Sequence, residues 1–377
     1  MIAGARSSSV SASADFESPD SIRGSRSGPI GVGIVGVGRS GSKLAAEYLT
    51  VQRRGKVRLV KVCDSSIAAL GALLITKETS SITQEMLTQD IHDILDNADI
   101  AIVHIATPNQ THYELAKMAL EAGKNVIVEK PMTLSSHESY HLVDIAKEKG
   151  LLIEINHAIR FNRALQVASE MLNGGEVGQL FYVKVNWTDQ TSFPDKDIIF
   201  NLGQNPLDIL NLLLGAWPKE VSGVGKAYRN SRTHNDIAYV LAEYPNGVFA
   251  HIELSWLNPR NVREVTIVGA EGSLIVDCLN QRLIQQYLDT TYEIPVTPSN
   301  TVASEIEHFA DRVARGDHPI DLTGPRAVET LEAIISSLTE KKVTAVANMK
   351  YEEETVKRTQ EAKTSVNPDL SVENKTR

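Results

Sequence analysis

Between residues 30 and 156 short apolar runs alternate with stretches of helical period, and this alternation restricts the fold more than any other feature of the chain. Apolar runs occupy residues 32–35, 59–63, 99–106, 125–128 and 151–156, each closed by glycine, proline or a polar residue. Consecutive parallel strands need a long crossover, and a helix supplies it. The pattern therefore predicts an α/β fold, a doubly wound parallel sheet with right-handed crossovers. A helix is expected over residues 42–49. Another follows Thr107-Pro108-Asn109, opened by a Thr111/Glu114 capping box, with Leu115, Met118, Ala119 and Ala122 on one face and a stop at Gly123. A Ser135/Glu138 box opens a third, which runs to Gly150 through Leu142, Val143 and Ala146.

After His157 the texture changes. Helices are expected over 163–172 and 205–214, with strands over 180–189, 221–228, 236–244, 248–256, 264–268 and 273–277. Most of these strands have no helix between them, and Pro245-Asn246-Gly247 is a hairpin turn. They predict an α+β domain with a large, mostly antiparallel open sheet, helices on one face and the other face free. Late helices over 305–315 and 327–339 are expected to pack back on the first domain. The resulting division is a disordered tail over 1–28, a dinucleotide-type domain over 29–156, a second domain over 157–348 and a polar tail over 349–377.

A chain of 377 residues can build two such cores. Its net charge of -9 argues against a nucleic-acid partner, and no apolar run reaches the ~20 residues needed to span a bilayer. The N-terminal segment lacks a continuous apolar stretch, and Asp15, Glu17 and Asp20 argue against a transit peptide. Two cysteines, Cys63 and Cys278, cannot form a disulfide framework, and Cys63 reads as a small core residue. A cytoplasmic location fits these features.

The candidate chemistry sits at strand ends, where open α/β sheets bind ligands. The first strand runs into Gly36-Val37-Gly38-Arg39-Ser40-Gly41 and then a helix. Glycines there permit a tight turn and close approach of a pyrophosphate to the helix N-terminus. The second strand ends in Asp64, placed to hydrogen-bond both hydroxyls of an adenosine ribose, and no arginine adjoins it to hold a 2′-phosphate. The expected cofactor is NAD in preference to NADP; a glycine turn without a ligand is the alternative. Thr107, Pro108, Asn109 and His112 join the expected cofactor set from the next strand end, with Glu129 and Lys130 from the strand after it. That strand closes on Glu129-Lys130-Pro131, which puts a cation where a substrate would lie, although a lysine after a strand is also an ordinary loop residue.

These motifs, with the late stretch Asp321-Leu322-Thr323-Gly324-Pro325-Arg326-Ala327-Val328-Glu329, resemble the glucose–fructose oxidoreductase / inositol dehydrogenase (Gfo/Idh/MocA) family over about residues 30–346. Asn156-His157-Ala158-Ile159-Arg160-Phe161-Asn162 and Ser255-Trp256, with Pro259 and Arg263, are similar to the nucleotide-sugar branch that includes UDP-N-acetylglucosamine 3-dehydrogenase-like enzymes. The resemblance implies NAD(P)-linked hydride transfer from a sugar-ring alcohol, a small-molecule substrate, and a homodimer or homotetramer. It gives Lys130 the role of orienting the hydroxyl, and it places Asp208 where the family carries an aspartate. It also places Asn205 where a catalytic histidine is expected and Asn201 where an aspartate is frequent. An asparagine cannot exchange a proton near neutral pH. Lys130, Asn205 and Asp208 are the catalytic candidates, and His157, Arg160, Asn205 and Asp208 the substrate ligands. Lys130 with Asp208 behind it could perform the proton transfer, His157 and His234 are possible substitutes for the missing base, and Arg160, Arg260 and Arg263 are possible anchors for a diphosphate or carboxylate. The competing reading is a catalytically impaired dinucleotide-binding sensor, regulator or complex partner.

Overall fold

The computed structural model describes residues 28–190, 197–229, 234–317 and 320–347. The expected tails lie almost wholly outside the described residues. The first layer contains β1 (Ile30–Val35), α1 (Arg39–Gln52), β2 (Val57–Cys63), α2 (Ile67–Ile75), β3 (Leu87–Thr88) and α3 (His92–Leu95). It continues with β4 (Ile102–Ile105), α4 (His112–Glu121), β5 (Asn125–Val128), α5 (Ser136–Lys149) and β6 (Ile153–Ile155). All six strands run parallel in the order β3-β2-β1-β4-β5-β6, the doubly wound dinucleotide topology with its switch point between β1 and β4. Every residue of β1 is buried, as a parallel strand covered on both faces requires.

The second layer contains α6 (Arg163–Asn173), β7 (Leu180–Thr188), α7 (Gln204–Leu214), β8 (Glu220–Lys226), β9 (Ile237–Glu243), β10 (Phe249–Ser255) and β11 (Arg263–Gly269). β12 (Ser273–Asp277), β13 (Arg282–Gln286), β14 (Thr291–Ile294), α8 (Thr301–Arg315), α9 (Thr323–Glu340) and β15 (Thr344–Ala345) complete it. Its nine-stranded sheet has the order β14-β13-β12-β11-β7-β10-β9-β8-β15 and is antiparallel except between β7 and β10. Gly247, with φ +80°, turns the β9–β10 hairpin where a Pro-Asn-Gly turn was expected. β13 and β14 extend the sheet beyond the expected strands; Arg282-Leu283-Ile284-Gln285 alternates, but its inward positions pair an apolar residue with a glutamine.

The late helices fold back on the first layer. On α8, Ala303, Ile306, Phe309 and Ala310 join the core beneath α1. α9 belongs to two cores: Val328 packs with α4 and α5, while Leu331 and Ile334 pack beneath the antiparallel sheet.

Both expected capping boxes are absent. Thr111 turns its hydroxyl to Thr107 Oγ1 and the Pro108 carbonyl. The N-terminus of α5 is capped from a distance: Glu332 of α9 accepts the Ser136 N–H at 2.9 Å and its hydroxyl at 2.6 Å. A tertiary carboxylate thus replaces the local one, because α9 lies against that end of α5. Ala122, expected on the apolar face of α4, is exposed; Ala116 and Leu120 are buried instead.

His104 of β4 is fully buried and shares a hydrogen bond with the Tyr48 hydroxyl at 2.9 Å. Burial pushes its imidazole down to about 3. The native ring therefore stays neutral while an unfolded ring takes a proton near ~6.5, so stability is lost as pH falls through that window. Unfolding in urea between pH 6.5 and 4 should show wild type losing up to about 3 kcal/mol more than His104→Gln. Parallel pH dependence of the two proteins would exclude this residue as the cause.

Candidate active site

The carboxyl edge of the parallel sheet gathers the expected groups in spatial order: Asp64 after β2, the glycine loop after β1, Thr107 after β4, Glu129 and Lys130 after β5, and His157 after β6. Gly36 has φ +93°, and its N–H donates to the Cys63 carbonyl at 2.7 Å. A Cβ on Gly41 would stand 2.0 Å from the Gly36 carbonyl oxygen, so glycine is required for helix and strand to approach. Gly38 differs, since a Cβ there would meet nothing within 4 Å. The glycine is not needed for packing, and the space it leaves lies at the start of α1. That helix has no acidic residue in its first turn and no side-chain cap, so its N-terminal N–H groups and positive dipole end are available to an anion.

Asp64 ties this loop to the second strand end. One carboxylate oxygen accepts the Val37 N–H at 2.7 Å, and the other accepts the Ser66 N–H at 2.8 Å. Each oxygen keeps lone-pair capacity for a ribose hydroxyl. Glycine loop, helix end and acid together fit a dinucleotide.

On the far side of the switch point, His112 is fully buried between two carbonyl oxygens, that of Pro131 at 2.8 Å and that of Thr107 at 3.0 Å. It locks the loop after β4 to the loop after β5. His112, expected in the cofactor set, has both ring nitrogens on these main-chain carbonyls. Asn156 donates to Glu129 Oε1 at 2.8 Å, and burial raises the Glu129 carboxyl, opposed by the neighbouring Lys130 and His112. The Lys130 ammonium reaches the Asn201 carbonyl at 3.5 Å.

Asn201 lies in a π-helical turn, Ile199–Gly203, that leads directly into α7. Such turns are common at functional sites. Asn201, Asn205 and Asp208 succeed one another at helical spacing, four and then three residues apart. They differ in exposure: Asn201 and Asn205 are half-buried, whereas Asp208 is 2% exposed. Asp208 Oδ2 faces His157 Nδ1 at 2.8 Å, and Oδ1 accepts the Arg160 Nε–H. Arg160 also donates to Asn211 Oδ1 at 2.7 Å. The second nitrogen of His157 faces Thr323 Oγ1 at 2.8 Å, and that hydroxyl donates to Asp321.

Two of the expected substrate ligands have partners within the protein. Arg160 was expected to present its fork to a substrate anion, but the fork is taken by Asp208 and Asn211. His157 was expected as a substrate ligand and possible base, but both ring nitrogens are engaged and its side chain is 10% exposed. Both residues are drawn inward because Asp208, buried as a carboxylate, requires charged and hydrogen-bonded partners. Arg263 stacks 5.0 Å over Trp187 and meets Asp189 at 3.5 Å, and Arg260 is exposed.

Sequence reasoning missed Glu305 and Asp197. Glu305 of α8 is 4% exposed, accepts the main-chain N–H of His157, and has its carboxyl raised well above the usual range by burial, with Glu129 and Asp208 adding to the effect. Its signal was a charge on the apolar face of α8, beside Ile306 and one turn before Phe309. Asp197 caps the π-helical turn, Oδ1 accepting the Ile199 N–H at 2.8 Å.

A nicotinamide dinucleotide oxidoreductase is the class that this fold and edge define. Two family models match: the oxidoreductase family with NAD-binding Rossmann fold over residues 30–157, and the GFO/IDH/MocA C-terminal domain over 165–275. The chain belongs to the Gfo/Idh/MocA family. It is 28% identical over 254 residues to scyllo-inositol 2-dehydrogenase (NAD(+)) of Bacillus subtilis, covering 63% of this chain and 74% of that protein. It is 27% identical over 299 residues to UDP-N-acetylglucosamine 3-dehydrogenase of Acidithiobacillus ferrooxidans, covering 75% and 88%. The structure of levoglucosan dehydrogenase in complex with NADH and levoglucosan superposes with a TM-score of 0.75 over 85% of this chain and 100% of that one, at 20% identity, and shares the fold.

Gly38→Ala separates cofactor fit from folding. The substitution fills open space, so its Tm should match wild type, while NAD affinity measured by calorimetry should fall about tenfold or more, as a methyl group would crowd the pyrophosphate. Unchanged affinity would place the dinucleotide elsewhere.

Proposed function

We propose that the protein is an NAD-dependent dehydrogenase that moves hydride between a ring alcohol of a sugar or nucleotide sugar and the nicotinamide. The observation that carries this reading is Lys130, held at the exit of β5 beside Asn201 and on the same edge as the dinucleotide loop. Bound NAD supplies the hydride acceptor. The rest falls to the chain. Asp64 and the N-terminus of α1 hold the adenosine and pyrophosphate, and the absence of an arginine beside Asp64 favours NAD over NADP. Lys130 donates a hydrogen bond to the substrate hydroxyl and stabilises the negative charge that grows on its oxygen. Asn201 and Asn205 donate and accept hydrogen bonds that orient the ring. Asp208 is a positioning residue, fixing α7 against the loop after β6.

The experiment is direct. Purified protein with NAD and a panel of sugars, inositols and nucleotide sugars should give absorbance rising near ~340 nm, and Lys130→Ala should lower kcat about 10²–10³-fold. Full turnover by Lys130→Ala would remove the assignment. Bound NAD that stays oxidised across the panel would favour the sensor reading, which Asn201 and Asn205 motivate.

The substrate-side sheet also has a place for a second copy of the chain. Tyr182, Tyr239, Leu241 and Phe249 are 39–52% exposed on the face turned away from the helices. Pairing of that face would give a homodimer or homotetramer. Sedimentation at micromolar concentration should show at least a dimer, and Leu241→Lys with Phe249→Lys should release monomers. A monomeric wild type would refute the pairing.

A further inference from the structure

The open face of the antiparallel sheet carries charges as well as apolar side chains. Side chains alternate across each strand. Val183 and Val185 of β7 and Ala250 and Ile252 of β10 point into the core, so Lys184, Asn186, His251 and Glu253 lie on the open side. Register sets them in two neighbouring rows. In the first, Lys184 stands between His251 of β10 and Thr266 of β11. In the second, Asn186 stands between Glu253 of β10 and Glu264 of β11. The lysine therefore has an acid on each diagonal. On the β9 side the rows end in Leu241 and Tyr239, and Phe249 and Tyr182 lie beyond the first row, so apolar side chains border the charges on two sides.

Lys184, Glu253 and Glu264 are half-buried, yet none of them has an ion-pair partner among the described residues. Asn186 Oδ1 is buried with no hydrogen-bond partner among those residues. His251 stacks on Tyr239, with ring centroids 6.1 Å and planes 3° apart. Burial, and then the neighbouring Lys184, pushes its imidazole down against the opposing pull of Glu253. Near neutral pH the first row thus presents one cation, Lys184, and the second row two carboxylates. Partly buried charges without partners are costly, and an apolar border beside them marks a face that another surface covers. The charge pattern selects the occupant. A partner of a single sign would set like charge against either Lys184 or the acids. A second copy presents both signs, and in an isologous interface residue i meets residue j while j meets i. Glu253 is the acid nearer the apolar border, beside Tyr239. A two-fold axis between Lys184 and Glu253 therefore also lays the apolar border of one copy on that of the other.

We propose that the sheet face pairs with a second copy of the chain through two crossed contacts, Lys184 meeting Glu253 of the partner subunit and Glu253 meeting the partner's Lys184. The inference rests on the homo-oligomer reading above and is independent of the dehydrogenase reading. The apolar side chains supply contact, and the crossed ion pairs fix its register, because a shifted pairing leaves the charges unmatched.

The test is charge reversal and complementation in the full-length protein. Lys184→Glu alone, or Glu253→Lys alone, sets like charges against each other at both crossed contacts. Each should raise the dissociation constant from sedimentation about tenfold or more. Mixed one to one, with one variant tagged, the two restore opposite charges at both contacts. They should form a mixed dimer with an affinity within about threefold of wild type. Circular dichroism checks that each variant keeps its fold, and a measurement on wild type stands whether or not they do. Raising salt from about 0.05 to about 0.5 M should weaken wild-type association several-fold. Folded variants that associate like wild type, or that dissociate and stay apart when mixed, overturn the crossed contacts. A wild type insensitive to salt does so too, and none of these results touches the pairing of the face, which Leu241→Lys with Phe249→Lys reports. A monomeric wild type overturns the pairing and this inference with it.

Discussion

Asp208 is the buried charge on which the arrangement of the site depends. It belongs to α7, in the antiparallel layer, and its partners His157 and Arg160 belong to the segment that leaves the parallel sheet after β6. A carboxylate removed from water must be paired, and removing one member of such a group costs about 3–5 kcal/mol. The interaction therefore sets the rotation and height of α7 against the parallel sheet. Asn205 lies three residues before Asp208 and Asn201 seven before, so their approach to the Lys130 side follows from that anchor. Glu305 reinforces it by holding the main-chain N–H of His157 from α8. The site lies between two layers held in alignment by these buried acids.

Much of the fold was legible in the sequence because its signals are local. The strand, glycine loop and helix from Ile30 to Gln52 obey backbone geometry alone: Gly36 needs a positive φ, and Gly41 needs the absence of a Cβ. The β9–β10 turn is legible for the same reason. The signals that failed depend on distant partners. Thr111 and Ser135 have the right residues for capping boxes, yet Thr111 turns back to its local neighbour Thr107, and at α5 the distant Glu332 wins the competition through tertiary contact. Arg160 looks like an anion anchor until Asp208 and Asn211 are seen to occupy it.

The two asparagines change what the edge can do more than how it is built. Both asparagines keep hydrogen bonding, and the Asn201 carbonyl keeps the Lys130 environment polar. What is lost is the ability to change charge. Asn201 spends its amide on the Asp197 carbonyl and offers its own carbonyl to Lys130.

The double membership of α9 limits how this molecule can move. Val328 is part of the core shared with α4 and α5, while Leu331 and Ile334, within two turns, are part of the core under the antiparallel sheet. Swinging one layer away from the other would expose side chains from one set or the other, at about 1.5–3 kcal/mol each. A hinge of that kind is stiff, because opening it costs one apolar set or the other.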